Sequence, residues 1–283
     1  MDKKKVEELN EKCVQIRRMV IETIGSLGTG HIGGSLSITE VLVVLYYVLM
    51  KINPQNPQME GRDRFVLSKG HAGPGLYAVL ADMGYFGKEH LSTLNRPGTI
   101  LPSHCDQVKT PGIDMVAGSL GQGFSCAAGM ALASRLKNDG AYIYAIVGDG
   151  ESQEGQIWET AMYAGAQKLN NFIAFTDYNK MQLDGMVDDI VTLQPLKDKW
   201  EAFNWNVINV KDGNDIEEIY KAIMSAKAIK DKPSMIILNT VKGKGISFIE
   251  DAGYHNHSMS ISPEMVEMAL EELEGKRGTG YAG

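Results

Sequence analysis

Gly148-Asp149-Gly150 and, 30 positions after the aspartate, Asn179 are the residues whose types and spacing point most directly to chemistry. A carboxylate and an amide oxygen side by side are hard donors suited to magnesium or calcium, and Mg²⁺ usually completes its shell with phosphate oxygens and water. Gly148 and Gly150 let the backbone come close to something bulky and anionic. A helix beginning near Gln153 would aim its amide groups and positive dipole end the same way. The pattern reads as a site for Mg²⁺ and a diphosphate. Asp-Gly alone is a common turn; the matched asparagine is what favours the site.

A second group is made of turn histidines. His31 lies in Gly28-Thr-Gly30-His-Ile-Gly33, His71 in Leu67-Ser-Lys-Gly-His71, His104 in Leu101-Pro-Ser-His104-Cys-Asp106, and His255 in Asp251-Ala-Gly-Tyr-His255-Asn-His257. One such histidine is usually a solvated side chain. Four in one chain suit an acid-base pocket for a polyol, because imidazole binds phosphate and relays protons near neutral pH. His90, in Lys88-Glu-His-Leu-Ser, reads as an exposed helix start with no special role.

These residues need a frame. Apolar runs at Tyr142 to Val147 and Asn171 to Thr176, with a helical segment between them, predict a strand-helix-strand unit. Parallel strands joined by a crossover helix end at one sheet edge, which makes Asp149 and Asn179 neighbours. Upstream, Val6, Leu9, Cys13, Ile16, Val20 and Ile24 recur at helical spacing, predicting an amphipathic helix over 3–24 that Gly25 ends. Ser37-Ile-Thr-Glu40 reads as a capping box opening a buried helix to Met50, whose apolar run from Val41 is too short to span a bilayer. Arg64 to Leu67 reads as a strand, and Gly118-Ser-Leu-Gly121-Gln-Gly123 precedes a small-residue helix over Cys126 to Ala133. Further strands at Asn204 to Val210 and Met235 to Thr240, with a helix from Asn214 to Ile229, complete an alternating pattern. The expected fold is α/β, a mostly parallel sheet with helices on both faces, forming one domain over 1–273. A last helix, Ser262 to Leu273, leads into a flexible tail at 274–283.

Two tempting motifs fail on context. Gly28 to Gly33 is literally G-x-G-x-x-G but follows a helix, not a strand, and Val241-Lys-Gly-Lys-Gly245 lacks the phosphate-loop spacing, so it reads as a flexible connection. Lys and Arg number 28 against 35 Asp and Glu, and this net charge of −7 argues against nucleic acid or an anionic membrane as partner. An odd set of three distant cysteines, Cys13, Cys105 and Cys126, and an N-terminus unlike a signal peptide lead us to expect a cytoplasmic protein.

Gly-Asp-Gly followed by Asn resembles the diphosphate and metal motif of thiamine diphosphate enzymes. Together, TGHIGGSLS, LSKGH, GSLGQG, GDGESQEGQIWE and DYNKMQLDG resemble the transketolases, over a span from about Gly25 to His255. The resemblance implies thiamine diphosphate and Mg²⁺, with Ca²⁺ or Mn²⁺ as substitutes. Asp149, Asn179 and the Met181 carbonyl would hold the metal. Gly148, Gly150, His71 and His255 would touch the diphosphate, and Gly118, Leu120 and Leu183 would line the thiazolium and pyrimidine region. His31, His104 and His255 would face the sugar whose two-carbon ketol unit is transferred. Glu154 and Glu159 would sit near the cofactor's glutamate across a subunit interface, sharing protons between sites.

In the family a second domain binds the aminopyrimidine, and this chain resembles only the first. The implied partner is therefore a separate C-terminal, pyrimidine-binding subunit, in an α2β2 assembly, acting on sugar or sugar-phosphate substrates. Ser103-His104-Cys105-Asp106, and Asn-His-Ser-Met after His255, depart from the usual pattern and suggest an unusual donor or acceptor, such as a modified or sulfonated sugar. Competing readings are the diphosphate-binding part of a deoxyxylulose phosphate synthase relative or of a 2-oxo acid dehydrogenase, and a catalytically silent regulatory subunit.

Overall fold

In the computed structural model, which describes residues 1–275, five parallel strands form the central sheet. They are β1 (Arg64–Leu67), β2 (Ile143–Gly148), β3 (Phe172–Asp177), β4 (Asn206–Val210) and β5 (Ser234–Leu238), in the spatial order β1-β2-β3-β5-β4. The main helices are α1 (Lys3–Leu27), α2 (Thr39–Val44), α3 (Gly73–Met83), α4 (Gln122–Lys137), α5 (Gly155–Ala166), α6 (Ile216–Ala228) and α7 (Pro263–Gly275).

The strands read as apolar runs because both faces of the sheet are covered. Tyr144, Ile146, Ile173, Phe175, Ile236 and Leu238 point into the larger core with α1, α2, α3, α6 and α7. Their alternate neighbours Ile143, Ala145, Val147, Phe172, Ala174, Met235 and Ile237 point into a second core with α4, α5 and the helix Leu196–Ala202. Period-two alternation between two buried faces makes the three-layer α/β/α arrangement that the sequence pattern predicts.

The β2–α5–β3 unit is as expected: Gly148 of β2 lies opposite Asp177 of β3, so Asp149 and Asn179 leave the same edge. Some details differ. Helix α1 runs past Gly25 to Leu27 and is capped by Gly28, whose left-handed φ of 83° lets its N–H donate to the Gly25 and Ile24 carbonyls. The Ser37/Glu40 capping box does not form. The Ser37 hydroxyl donates to Asp177 at 2.7 Å and Glu40 pairs with buried Arg17, so tertiary contacts claim both side chains. The helical stretch Ile32–Leu49 is apolar and long enough by composition to cross a membrane, yet most of it is buried inside this fold as core. Of the tail expected at 274–283, Glu274 and Gly275 belong to α7, and the rest lies outside the described residues.

Candidate active site

At the carboxyl edge of the sheet lies a cavity of about 390 Å³, walled by loops from distant parts of the chain. His31, Lys69, His71, His104, Gly118, Leu120, Gly148, Asp149, Gly150, Glu154, Asn179, Met181 and Leu183 all border it, with Lys242 and His257. An open parallel sheet places its ligand crevice there, because successive strands deliver their loops to this edge.

Asp149, 2% exposed, accepts from the Gly150 amide at 2.8 Å and from the Lys180 amide at 2.5 Å. The second bond needs a turned backbone, and Lys180 takes a left-handed φ of 67° to make it. The Asn179 amide nitrogen donates to Asp177 at 3.0 Å, and its oxygen accepts from the Met181 amide at 3.1 Å. A carboxylate only accepts, so Asp177 fixes which end of the Asn179 amide is the oxygen.

Asp177 is fully buried and also accepts from Lys69 at 2.5 Å, from Ser37, and from the Thr240 hydroxyl. Burial by itself would raise its carboxyl, but the Lys69 ammonium and these hydrogen bonds outweigh that and hold it below the usual range. Asp149 shows the opposite outcome. Burial and then the Asp177 charge push it up to about 7.

Lys242 lies buried beside the site and donates to the Met181 carbonyl at 3.1 Å. Burial and then the Lys69 charge lower it to about 8. One carboxylate, one amide oxygen and one main-chain carbonyl, the last already facing a cation, form an all-oxygen donor set that fits a hard divalent ion. Among the described residues no cluster of three or more His, Cys, Asp or Glu is arranged to hold a metal. An ion here would complete its shell from water and ligand oxygens.

Around His31 the other imidazoles gather: His71 at 5.4 Å between ring centroids, His104 at 5.6 Å and His257 at 5.4 Å, with His71 and His257 4.8 Å apart. Burial lowers all four below the usual imidazole value, assisted at His31 by His104 and Lys242 and at His71 by Lys69. His257 falls to about 3, from burial and then Lys242. Neutral imidazoles have one nitrogen to accept and one to donate a hydrogen bond, which suits them to hydroxyl groups.

His255 is a correction. It is exposed, packed against Tyr254, while His257 takes the cavity position expected of it. Asn256 between them sets the phase: fully buried, it donates to the Lys242 and Ile249 carbonyls at 3.1 and 2.8 Å. With Asn256 locked inward, one neighbour faces the cavity and the other faces solvent. Glu154 borders the cavity, but Glu159 does not; it lies exposed on α5 beside Gln156, Thr160 and Tyr163. Leu183 sits at the rim, 60% exposed.

Sequence reasoning alone passes over Lys69, Asp177, Lys242 and His257. Lys69 stands inside the Leu67-to-His71 segment and His257 two residues after His255, so both are within view of motifs that the sequence does show. Asp177 ends β3 and reads only as a strand stop. Val241 to Gly245 is not a flexible connection: Gly243 donates to the Gly33 carbonyl at 3.0 Å, tying the segment down so that Lys242 enters the site.

The family description "Transketolase, thiamine diphosphate binding domain" matches residues 9–273. The chain belongs to the transketolase family. It is 57% identical over 267 residues to "6-deoxy-6-sulfo-D-fructose transketolase subunit SqwG" of Clostridium sp. (strain MSTE9), covering 94% of this chain and 96% of that one. It is 36% identical over 268 residues to an apulose-4-phosphate transketolase subunit of Phocaeicola vulgatus, covering 95% and 94%. Among solved structures it resembles transketolase from Leishmania mexicana, with a TM-score of 0.87 and 31% identity over 95% of this chain and 41% of that one. The chain thus spans less than half of that single-chain transketolase and nearly all of the separate subunits. It is a transketolase subunit, contributing the thiamine diphosphate-binding half to ketol transfer.

Proposed function

We propose that this chain joins a separate pyrimidine-binding subunit, as an α2β2 heterotetramer with Mg²⁺, to move a two-carbon ketol unit from 6-deoxy-6-sulfo-D-fructose to an aldose. The donor is argued from the 57% identical relative that carries that sugar in its name, together with the departures around His104 and after His255. The observation that carries the reading is that Asp149, Asn179 and Met181 border the same cavity as His31, His71, His104 and His257.

When bound, the thiazolium ring supplies the carbon nucleophile that the protein lacks. The chain's own residues orient and move protons. Asp149, Asn179 and Met181 would hold the metal, with Ca²⁺ or Mn²⁺ able to replace Mg²⁺; Lys69 and Lys242 supply positive charge beside the diphosphate, and neutral His71 donates a hydrogen bond to it. His31 and His104 bind sugar hydroxyls and take or return their protons as the carbon bond breaks and forms, and neutral His257 holds a sugar hydroxyl by hydrogen bonding. Glu154, exposed beside the cavity, faces the partner subunit.

The test is a coexpression of this chain with the partner subunit, assayed with 6-deoxy-6-sulfo-D-fructose or xylulose 5-phosphate as donor and an aldose as acceptor. The sulfonated ketose should be the better donor by kcat/KM, and this chain alone should show no turnover. Equal or better use of xylulose 5-phosphate would overturn the donor assignment, and robust turnover without added polypeptide would overturn the split assembly. Release of carbon dioxide from pyruvate would favour the oxo-acid reading instead.

A further inference from the structure

We propose that Glu151 is a positioning residue that sets the gap between the two glycine turns walling the cavity, and through it the affinity for thiamine diphosphate. This rests on the cofactor reading above. One carboxylate oxygen of Glu151 accepts from the Ser68 hydroxyl at 2.5 Å and from the Gly121 amide at 2.8 Å. The other accepts from the Gly148 amide at 3.0 Å. Three segments far apart in sequence are therefore pinned to one side chain that is only 2% exposed.

The chemistry of the clamp is specific to a carboxylate. Burying such a group is costly unless its lone pairs are used, and here three donors use them. Two of those donors are backbone amides, which cannot turn round to accept. A neutral amide at 151 has one accepting oxygen, so its NH₂ must oppose either Gly121 or Gly148 and leave that amide unpaired. The hydroxyl of Ser68 is tied as well, since it accepts from the Phe124 amide at 2.9 Å. There is little slack for relaxation: a Cβ on Gly123 would come within 2.9 Å of the Ser68 backbone.

What the clamp spaces is the site. The turn before Gly121 contributes Gly118 and Leu120 to one wall, and the turn after β2 contributes Gly148, Asp149 and Gly150 to the other. The metal donors have anchors of their own, Asp149 on Gly150 and Lys180 and Asn179 on Asp177 and Met181. Loosening Glu151 should therefore open the cofactor slot while sparing the metal donors.

The experiment uses the chain assembled with its partner subunit and three variants: Glu151→Gln, Glu151→Asp, which keeps the charge but is one methylene too short, and Ser68→Ala. Thiamine diphosphate is titrated by calorimetry at saturating Mg²⁺, and Mn²⁺ alone is titrated by electron paramagnetic resonance. Both Glu151 variants should raise the thiamine diphosphate Kd about tenfold, equivalent to about 1.4 kcal/mol. Their Mn²⁺ affinity and their kcat at saturating cofactor should stay within about twofold to threefold of wild type. Ser68→Ala also removes buried bonds but leaves both glycine amides on Glu151, so its thiamine diphosphate Kd should change less than twofold. Thiamine diphosphate binding equal to wild type in either folded Glu151 variant, or a loss as large in Ser68→Ala, would overturn the spacing role. So would a failure of both Glu151 variants to fold, which would make the residue a general structural element. Absence of thiamine diphosphate binding by the wild-type assembly would instead overturn the functional reading, and this inference with it.

Discussion

The Lys242 ammonium and the Met181 main-chain carbonyl are bonded across 61 residues of sequence at 3.1 Å. That carbonyl is one of the three oxygens proposed for the metal, so in this reading a lysine and a divalent cation would contend for the same lone pairs. Lys242→Met should consequently act in two directions. Mn²⁺ titrated without thiamine diphosphate should bind several-fold more tightly, because a competing positive charge has gone. Thiamine diphosphate should bind at least tenfold more weakly, because its diphosphate loses a cation. With Lys242 lowered to about 8, that cation discharges as pH rises through 8, and wild-type cofactor affinity should fall there while the variant's stays flat.

Asp149 should reveal the cost of holding a proposed metal ligand ready. Its carboxyl in the folded protein sits near 7, above the value of an unfolded aspartate, owing to burial and the Asp177 charge. A raised acid contributes stability that is present below the unfolded value near 4 and is lost as pH climbs through 7. The Asp149 contribution to the stability of the metal-free protein should therefore fall between about pH 4 and 7, opposite in sign to that of the depressed histidines over the same range, so it is read as the difference between wild type and Asp149→Asn. In Asp149→Asn this part of the slope should vanish and Mn²⁺ binding should fall at least a hundredfold. Denaturant unfolding across that range, in chelator, checks the slope, and the same Mn²⁺ titration checks the binding.

How much of this was legible in the sequence follows from what each signal depends on. Strand β2 and strand β3 were readable because both faces are buried and their apolar runs are continuous, and Asp149 and Asn179 follow from that register. Ser37 and Glu40 misled because a capping box and a pair of tertiary ligands look alike until the partners Asp177 and Arg17 are in place. The same holds for Lys69 and Lys242. A lysine in a glycine-rich segment reads as solvated, and only the folded chain brings Asp177 and Met181 to it.

The exchange of His255 for His257 has a direct test. His257→Ala should lower kcat/KM about a hundredfold, while the exposed His255→Ala should stay within twofold. Acid titration gives an independent readout. Burial and Lys242 depress His257 to about 3, so its neutral form stabilises the fold above the unfolded value near 6.5, and that contribution is lost as pH falls toward 3. The metal-free His257→Asn protein should accordingly show a shallower loss of stability between about pH 6.5 and 3 than wild type, measured by denaturant midpoint.

Gly70 separates Lys69 from His71 and lies against the backbone of the loop entering the other wall. A Cβ placed on it would fall 1.7 Å from the Ala117 carbonyl oxygen and 2.6 Å from its carbon. No rotamer relieves a clash with main chain, and the Ala117 amide is itself bonded to the Cys105 carbonyl at 3.1 Å, beside His104. Gly70→Ala must therefore shift either Lys69 and His71 or the Ala117 segment that leads to Gly118. Both moves disturb the site, and overpacking at buried positions typically costs about 1–3 kcal/mol, occasionally more. We expect a fall of at least about 2 kcal/mol in unfolding free energy, with cofactor affinity reduced in whatever folded protein remains. A fully stable Gly70→Ala with wild-type thiamine diphosphate binding would mean that the two walls are not in contact as described.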